Sequence, residues 1–558
     1  MRNTAARRSR KGVILGFAAL LTLAACGSSS SSGGSTTTAA PKAGVATGTI
    51  TGAMASGAID TLDPNRWYFA VTWGLANALC TTLIRYADEP GTPGTQLVPG
   101  LADLPVISSN GLEYTYTLRP GVRFSNGQAI TPADIKYTWM RLMAPAIDTG
   151  TGFYFTNVIG APAYLAGTSK TLPGITTTAN SITFHLTAAD GAFLYKTALP
   201  TTCPVPTGTS MKQENNGTIE QTYASGAFKL QSYSPGRQIV LAFNKNYDQS
   251  LGARGHVAKI VFNIGVESTQ ATLEIQAGQL DFNTSNLATA DILKISGNPA
   301  LASQVHTSAR PDITYLFLNY EVAPLNNLDV RKAINFAINR TAIEAQWGGP
   351  LAGTPTDQII PPALSDYKQY SIYPNTPNLT EAKKLMAESG VKTPISLGIR
   401  TQNDAPGFVN MADVIQSDLK PIGINLTIEA TPNSVNSSFI SNPKSHTPMG
   451  IEPWSADFPD GDAIINTGLY PGTPDFAANF SHFGVASFVP EFNQAAAALA
   501  AARVSDYQQL DYNLMSKQAP YAPLFNPRWY DFVSARLGGY VYSEAVDAIN
   551  YNTLTIKS

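Results

Sequence analysis

The residues best suited to chemistry stand together late in the chain, in Pro-Trp-Ser-Ala-Asp-Phe-Pro-Asp-Gly-Asp-Ala-Ile from Pro453 to Ile464. Asp457, Asp460 and Asp462 follow closely on Trp454 among turn formers, in a stretch too short and irregular for a helix. One carboxylate facing a cleft beside Trp454 would receive a cationic group through a charge-assisted hydrogen bond. The alternative is a solvated loop of Asx turns. A calcium loop of the EF-hand kind is not expected, because no bidentate glutamate closes the cluster.

Elsewhere catalytic signatures are missing. The chain has no phosphate-cradling GxxxxGK[ST], no HExxH and no GxSxG. Its five histidines, His185, His256, His306, His446 and His482, are scattered, which reads as surface or satisfied core residues. An enzyme, a metal site and a bound cofactor are therefore not expected. There are 37 basic and 39 acidic side chains, and Arg2, Arg7, Arg8, Arg10 and Lys11 all lie in the first 25 residues. The remaining body is acidic, which disfavours nucleic acid as a partner.

Those five basic residues precede an apolar run from Val13 to Ala25 that is shorter than a spanning helix requires. This is the pattern of an export signal, residues 1–25. The run ends in Leu23-Ala24-Ala25-Cys26-Gly27, which resembles the bacterial lipobox and makes Cys26 the lipidated residue. The Ser, Thr, Gly and Ala that follow, through residue 45, cannot bury enough surface to offset the entropy of ordering. They read as a tether between a lipid at the outer face of the cell membrane and a body of about 510 residues, large enough for at least two lobes. Cys80 and Cys203 remain, either as one disulfide of an exported protein or as two separate buried thiols.

Within the body, Tyr114, Tyr116 and Leu118 alternate with threonines, and Ile182, Phe184 and Leu186 alternate with Thr183 and His185, the period of half-buried strands. Thr131-Pro132-Ala133-Asp134 sets an N-cap, a first-turn proline and an acid at the start of a helix. Two strands joined by Pro235-Gly236 follow. Beyond Arg310 the pattern changes to one long helix over "LDVRKAINFAINRTAIEAQW", a second over "LTEAKKLMAESGV" capped by Thr380, a strand "ISLGIRT", then helix and strand again. An alanine-rich helix runs around Ala495 to Ala502. Alternating strands and helices indicate an α/β lobe with parallel sheet.

"LVPGLAD", "GLEYTYTLRPGVRFSNGQAITPADIKYTWMRL", "SGAFKL", "NNLDVRKAINFAINR", "EAKKLMAESG" and "WSADFPDGD" occur in an order that resembles the family 5 extracytoplasmic solute-binding proteins of ABC importers, over residues 48–558. Asn339-Arg340 stands where that family commonly has aspartate before arginine. The resemblance implies an α/β, bilobal, periplasmic-binding-protein-like fold with a hinge and a subdomain inserted in the first lobe. It divides the body into 46–80, an insertion 81–200, 201–314, a second lobe 315–519 and a return 520–558. It implies a monomer that captures di- or oligopeptides and hands them to a permease. Asp457 would pair with the ligand's α-amino group, with Trp454 and Ser455 lining the same strand, while Asp460 and Asp462 do not inherit that role. Arg400, on "ISLGIRT", is the candidate for the ligand's carboxylate, against a plain strand-end arginine. Nickel chelates and oligosaccharides are the alternative cargo; Trp454, Trp529 and Tyr530 keep a stacked sugar open.

Overall fold

A computed structural model describes residues 46–557 apart from 254–255, 406, 443 and 472–478. The signal, Cys26 and the tether lie outside the described residues. Among the described residues no helix is long and apolar enough to cross a membrane.

Three sheets organise the body. In the first, Thr49–Met54 lies between Phe282–Asn283 and Lys259–Ile264, parallel to both, and the hairpin of Phe228–Ser234 and Gln238–Phe243 completes the edge. The second is a four-stranded antiparallel sheet of Val106–Ile107, Glu113–Thr117, Ser181–His185 and Ile175–Thr177. Here the alternation in the sequence is realised, with Tyr114, Tyr116, Ile182 and Phe184 fully buried. The helix Pro132–Leu142 beside it begins in a capping box: Asp134 N–H donates to Thr131 Oγ1 at 3.3 Å and Thr131 N–H donates back to Asp134 Oδ2 at 2.9 Å.

Cys80 and Cys203 close the loop that holds this second sheet. They form a disulfide with Cα atoms 5.7 Å apart across a sequence separation of 123. Cross-linking so long a loop removes much unfolded-chain entropy. The Cys80→Ala/Cys203→Ala double variant is expected to lose about 2–5 kcal/mol of stability. Thermal unfolding of the variant, and of the wild type with and without reductant, checks this; an unchanged melting temperature contradicts it.

The third sheet runs in the order Val305–Ala309, Tyr521–Phe532, Asp312–Leu318, Met449–Ser455, Ile395–Gln402, Ile424–Thr431, with Gly353–Pro355 paired to Tyr521–Phe532. Ile395–Gln402 and Ile424–Thr431 are parallel and joined through the helix Phe408–Leu419, the βαβ unit that the alternation predicts. Leu316, Leu318, Leu397, Ile399, Met449 and Ile451 form one core with residues of helices Leu328–Ala337, Leu379–Glu388 and Phe408–Leu419. Strand alternation therefore turns Tyr315, Arg400, Glu452 and Trp454 to the other face. The long strand Tyr521–Phe532 pairs first with Asp312–Leu318 and then with Val305–Ala309, with a bulge between Thr314 and Tyr315.

Three local expectations are corrected. The helix expected over residues 328–347 is two, Leu328–Ala337 and Arg340–Trp347, because Asn339 turns and accepts from Ala342 N–H at 3.0 Å as the cap of the second. The break lets Arg340 bury its guanidinium among the carbonyls of Asn335, Thr356, Pro374 and Pro523. Leu379–Glu388 is capped by Asn378 rather than Thr380, which is helical. The alanine-rich helix is interrupted too: Val489–Ala497 ends and Ala500–Lys517 begins anew. Arg503 of the second helix takes the carbonyls of Ala495 and Ala496 there, and the distant Gly191 N–H also donates to Ala496 O.

Candidate functional site

The strand Met449–Ser455 runs antiparallel to Asp312–Leu318, placing Trp454 opposite Ile313 and Ser455 opposite Asp312. Ala456 N–H then bonds to Pro311 O at 2.9 Å, and the chain leaves the sheet at Asp457. Trp454 Nε1–H donates to Ala463 O at 3.1 Å, folding the acidic segment back over its own strand.

Within that segment the three carboxylates have different partners. Asp460 accepts a two-pronged bond from Arg503, Nε to Oδ2 at 2.7 Å and Nη2 to Oδ1 at 2.6 Å, and caps the turn by accepting from Asp462 N–H at 2.9 Å. Asp462 accepts from Tyr507 OH at 3.0 Å and has Lys196 Nζ at 3.4 Å. Burial alone would raise the Asp462 carboxyl; Lys196 and Arg503 outweigh it and hold the group below the usual carboxylate range. Gly461 lies close against Asp366 and Tyr507, its N–H donating to Asp366 Oδ2 at 2.6 Å; an added Cβ would meet that same oxygen at 2.6 Å.

Asp457 is different. It is half-buried, and Tyr154 OH donates to its Oδ2 at 2.6 Å, with Tyr68 OH more distant at 3.5 Å. No ion pair to it forms among the described residues. Burial pushes its pKa up to about 6, the two hydroxyls opposing that rise. The Tyr154 hydroxyl is itself raised well above 10, by burial and by the Asp457 charge, so it stays a donor at neutral pH. The arrangement presents a carboxylate that is partly desolvated, oriented and without a counter-charge, the form that best accepts a cation.

Tyr68 and Tyr154 carry no signal in the sequence. They lie 389 and 303 residues from Asp457 along the chain, and neither sits in a motif that signals it. Tyr154→Phe removes a donor that favours the charged carboxylate, so the pKa of Asp457 should rise above 6 and binding of a cation should fail at a correspondingly higher pH. A titration of Kd against pH on both proteins checks this; superimposable profiles contradict it.

The other expected residues are placed as follows. Ser455 borders the cluster in which Arg310 bridges Asp312 at 3.0 Å and Asp547. Arg400 stands opposite Gly450, so it lies about 17 Å back along the sheet from Ser455 at ~3.3 Å per residue. Its guanidinium bridges Glu429 at 3.1 Å and lies 3.5 Å from the Phe439 ring centre, while Nη1 is buried without a partner among the described residues. The structure does not bring Arg400 to Asp457. Trp529 stacks on Tyr542 and donates from Nε1 to Asp531 at 2.7 Å, so it is already engaged.

The family model for bacterial extracellular solute-binding proteins, family 5, matches residues 96–475. The chain belongs to this family. It is 24% identical over 507 residues to the probable D,D-dipeptide-binding periplasmic protein DdpA of Escherichia coli (strain K12), covering 89% of this chain and 92% of that one. To heme-binding protein A of Haemophilus influenzae (strain ATCC 51907 / DSM 11121 / KW20 / Rd) it is 26% identical over 479 residues, covering 80% and 82%. Among solved structures, clavulanic acid biosynthesis oligopeptide binding protein 2 superposes with a TM-score of 0.85 at 21% identity, covering 92% of this chain and 96% of the other. The bilobal periplasmic-binding fold and an extracytoplasmic solute-binding role follow for this chain.

Proposed function

We propose that this family member is a lipid-anchored, monomeric peptide receptor: it captures di- or oligopeptides and delivers them to the permease of an ABC importer, without catalysing a reaction. The observation that carries the reading is Asp457, held by Tyr154 and lacking a cation among the described residues. A peptide's α-ammonium supplies the missing charge. Trp454 lines the approach, and Ser455 ends the same strand beside Asp312. Arg400 takes the ligand's carboxylate once its buried Nη1 is uncovered from the Glu429 and Phe439 contacts, and its distance from Ser455 suits an extended chain of about five residues.

In this reading the first lobe holds 46–80, 201–314 and 520–558, with 81–200 inserted, and 315–519 is the second lobe. The ribbon formed by Val305–Ala309 and Asp312–Leu318 against Tyr521–Phe532 is the crossing on which they hinge. Cys26 anchors the whole at the outer face of the membrane. A relative named for heme binding, at 26% identity, favours a second reading with the same fold and a non-peptide cargo.

Native mass spectrometry of the mature chain, with co-purified ligand released and sequenced, separates the two. Released peptides, followed by calorimetric binding of the same sequences, support the receptor. A released non-peptide solute, with no binding of peptides of any length, overturns it.

A further inference from the structure

Several contacts connect the disulfide-closed insertion to the chain that follows the Met449–Ser455 strand, Tyr154 meeting Phe458 edge-on at 5.3 Å among them. Besides the Tyr154 bond to Asp457, Gly191 N–H donates to Ala496 O at 2.8 Å. Tyr195 stacks on Phe458 at 6.2 Å with planes 10° apart. Lys196 Nζ bridges Asp190 of its own subdomain at 2.8 Å and Asp462 of the facing segment at 3.4 Å. The approach at Gly191 admits no side chain, since a Cβ there would meet Ala498 O at 2.0 Å.

The packing around these contacts is incomplete. A cavity of about 270 Å³ remains, with Ile107, Leu194 and Tyr195 on one wall and Asp366, Leu499 and Arg503 on the other. Beside this cavity apolar contact does cross the junction, since Tyr154 meets Phe458 edge-on and Phe193 and Phe458 belong to one buried core, and the charged bonds add to it. Lys196 is the one cation seen to bridge the insertion and the acidic segment among the described residues, and it and its two carboxylate partners are all buried. Low exposure makes the pair resistant to screening by salt.

We propose that Lys196 is a positioning residue for ligand capture: through Asp462 it holds the segment carrying Asp457 against the insertion, and this ion pair sets how long the closed form and its ligand persist. The proposal rests on the reading of Asp457 as the ligand carboxylate and of the insertion and the acidic segment as parts of opposite lobes. It divides the labour of the cluster. Asp457 meets the ligand, Asp460 fixes the segment to its own lobe through Arg503, and Asp462 closes it onto the other. Opening the lobes costs Lys196 one of its two carboxylates while Asp190 keeps it charged. A ligand that binds the closed form is then retained in proportion to the closed population.

Asp462→Asn keeps the size of the side chain, an acceptor for Tyr507, the Lys196–Asp190 pair and the Arg503–Asp460 fork, and removes the charge that crosses to Lys196 and that Arg503 faces at 3.9 Å. Spin labels at the exposed positions 170 and 383, introduced as Lys170→Cys and Lys383→Cys, report the separation of the insertion from the second lobe by pulsed electron resonance. The expected result is a shift of the distance distribution to longer values in Asp462→Asn and in Lys196→Met, and its restoration in Lys196→Arg. With a pool of synthetic tri- to hexapeptides bearing free amino termini as probe, release should quicken by about tenfold while association changes little. An unchanged distance distribution in Asp462→Asn, or unchanged release from a variant that does open, overturns the proposal. If the wild type binds none of the pool, the peptide reading fails, and the distance measurement alone decides the latch.

Discussion

Asp457→Asn is expected to weaken capture of a peptide with a free amino terminus by about 30-fold to several thousand-fold, the equivalent of ~2–5 kcal/mol for removing one partner of a buried, hydrogen-bonded charge pair. The loss should vanish for the N-acetylated peptide, which has no ammonium to pair. The pH dependence follows from the same group. Binding needs the carboxylate, so affinity should fall as pH drops below about 6, where Asp457 takes up a proton. It should fall again above the α-amino pKa of roughly 7.7–8.0, where the ligand loses its charge. The profile is then a bell whose acid limb is absent in Asp457→Asn. Stability moves the other way. A carboxyl with a raised folded-state pKa binds its proton more tightly when folded, so its contribution falls as pH rises from about 4 through 6. The ligand-free Asp457→Asn protein should therefore melt no lower than wild type at pH 7, and higher if the fold relaxes around the amide. Isothermal titration across pH 5–9 with both peptide forms tests the first claim; equal affinities of wild type and variant for the free-amine peptide would sink the site.

The largest effect on stability is expected at Arg141. Its guanidinium is fully buried with Asp63, Nη1 to Oδ1 at 2.6 Å and Nη2 to Oδ2 at 2.7 Å, and it also donates to Asn65 Oδ1 and to the carbonyls of Ser210 and Lys212. One side chain thus ties the helix Pro132–Leu142 to the turn at Asp63 and to the segment that follows Cys203. Arg141→Met fills similar volume but strands the Asp63 charge, and should cost about 3–5 kcal/mol. Lysine is a poor substitute, because one ammonium cannot reproduce a fork of donors aimed in several directions. Adding Asp63→Leu to Arg141→Met should recover part of the loss, since the uncompensated charge is then gone. Urea unfolding of the three proteins measures this; a loss below about 1 kcal/mol for Arg141→Met is incompatible with the geometry.

Much of the architecture was legible locally. Alternation placed Tyr114, Tyr116, Ile182 and Phe184 on the inner face of the second sheet, and the Thr131 cap started its helix where the structure starts it. Such signals depend on neighbours a few residues apart, so they survive in the folded chain unless a distant group competes. Where one does, the local reading failed. The helix over residues 328–347 was interrupted because burying Arg340 among four carbonyls outweighs one continuous turn, and the alanine-rich helix because Gly191 and Arg503 claim its carbonyls.

The candidate site divides in the same way. Residue types and their spacing were enough for the family, the alternation of strands and helices, and the place of Asp457 in a turn-rich acidic segment after a tryptophan. Which of the three carboxylates lacks a cation among the described residues follows from the folded chain, since Arg503 lies 43 residues after Asp460 and Lys196 comes from the disulfide-closed loop. The tertiary structure alone supplied Tyr154 and Tyr68, the engagement of Arg400 by Glu429, and the 5.7 Å between the Cα atoms of Cys80 and Cys203. The reason is physical. Backbone preferences and periodicity act over a few residues and are written in the types present, whereas the partner of a buried charge is whichever group the packing of distant segments brings within about 3 Å.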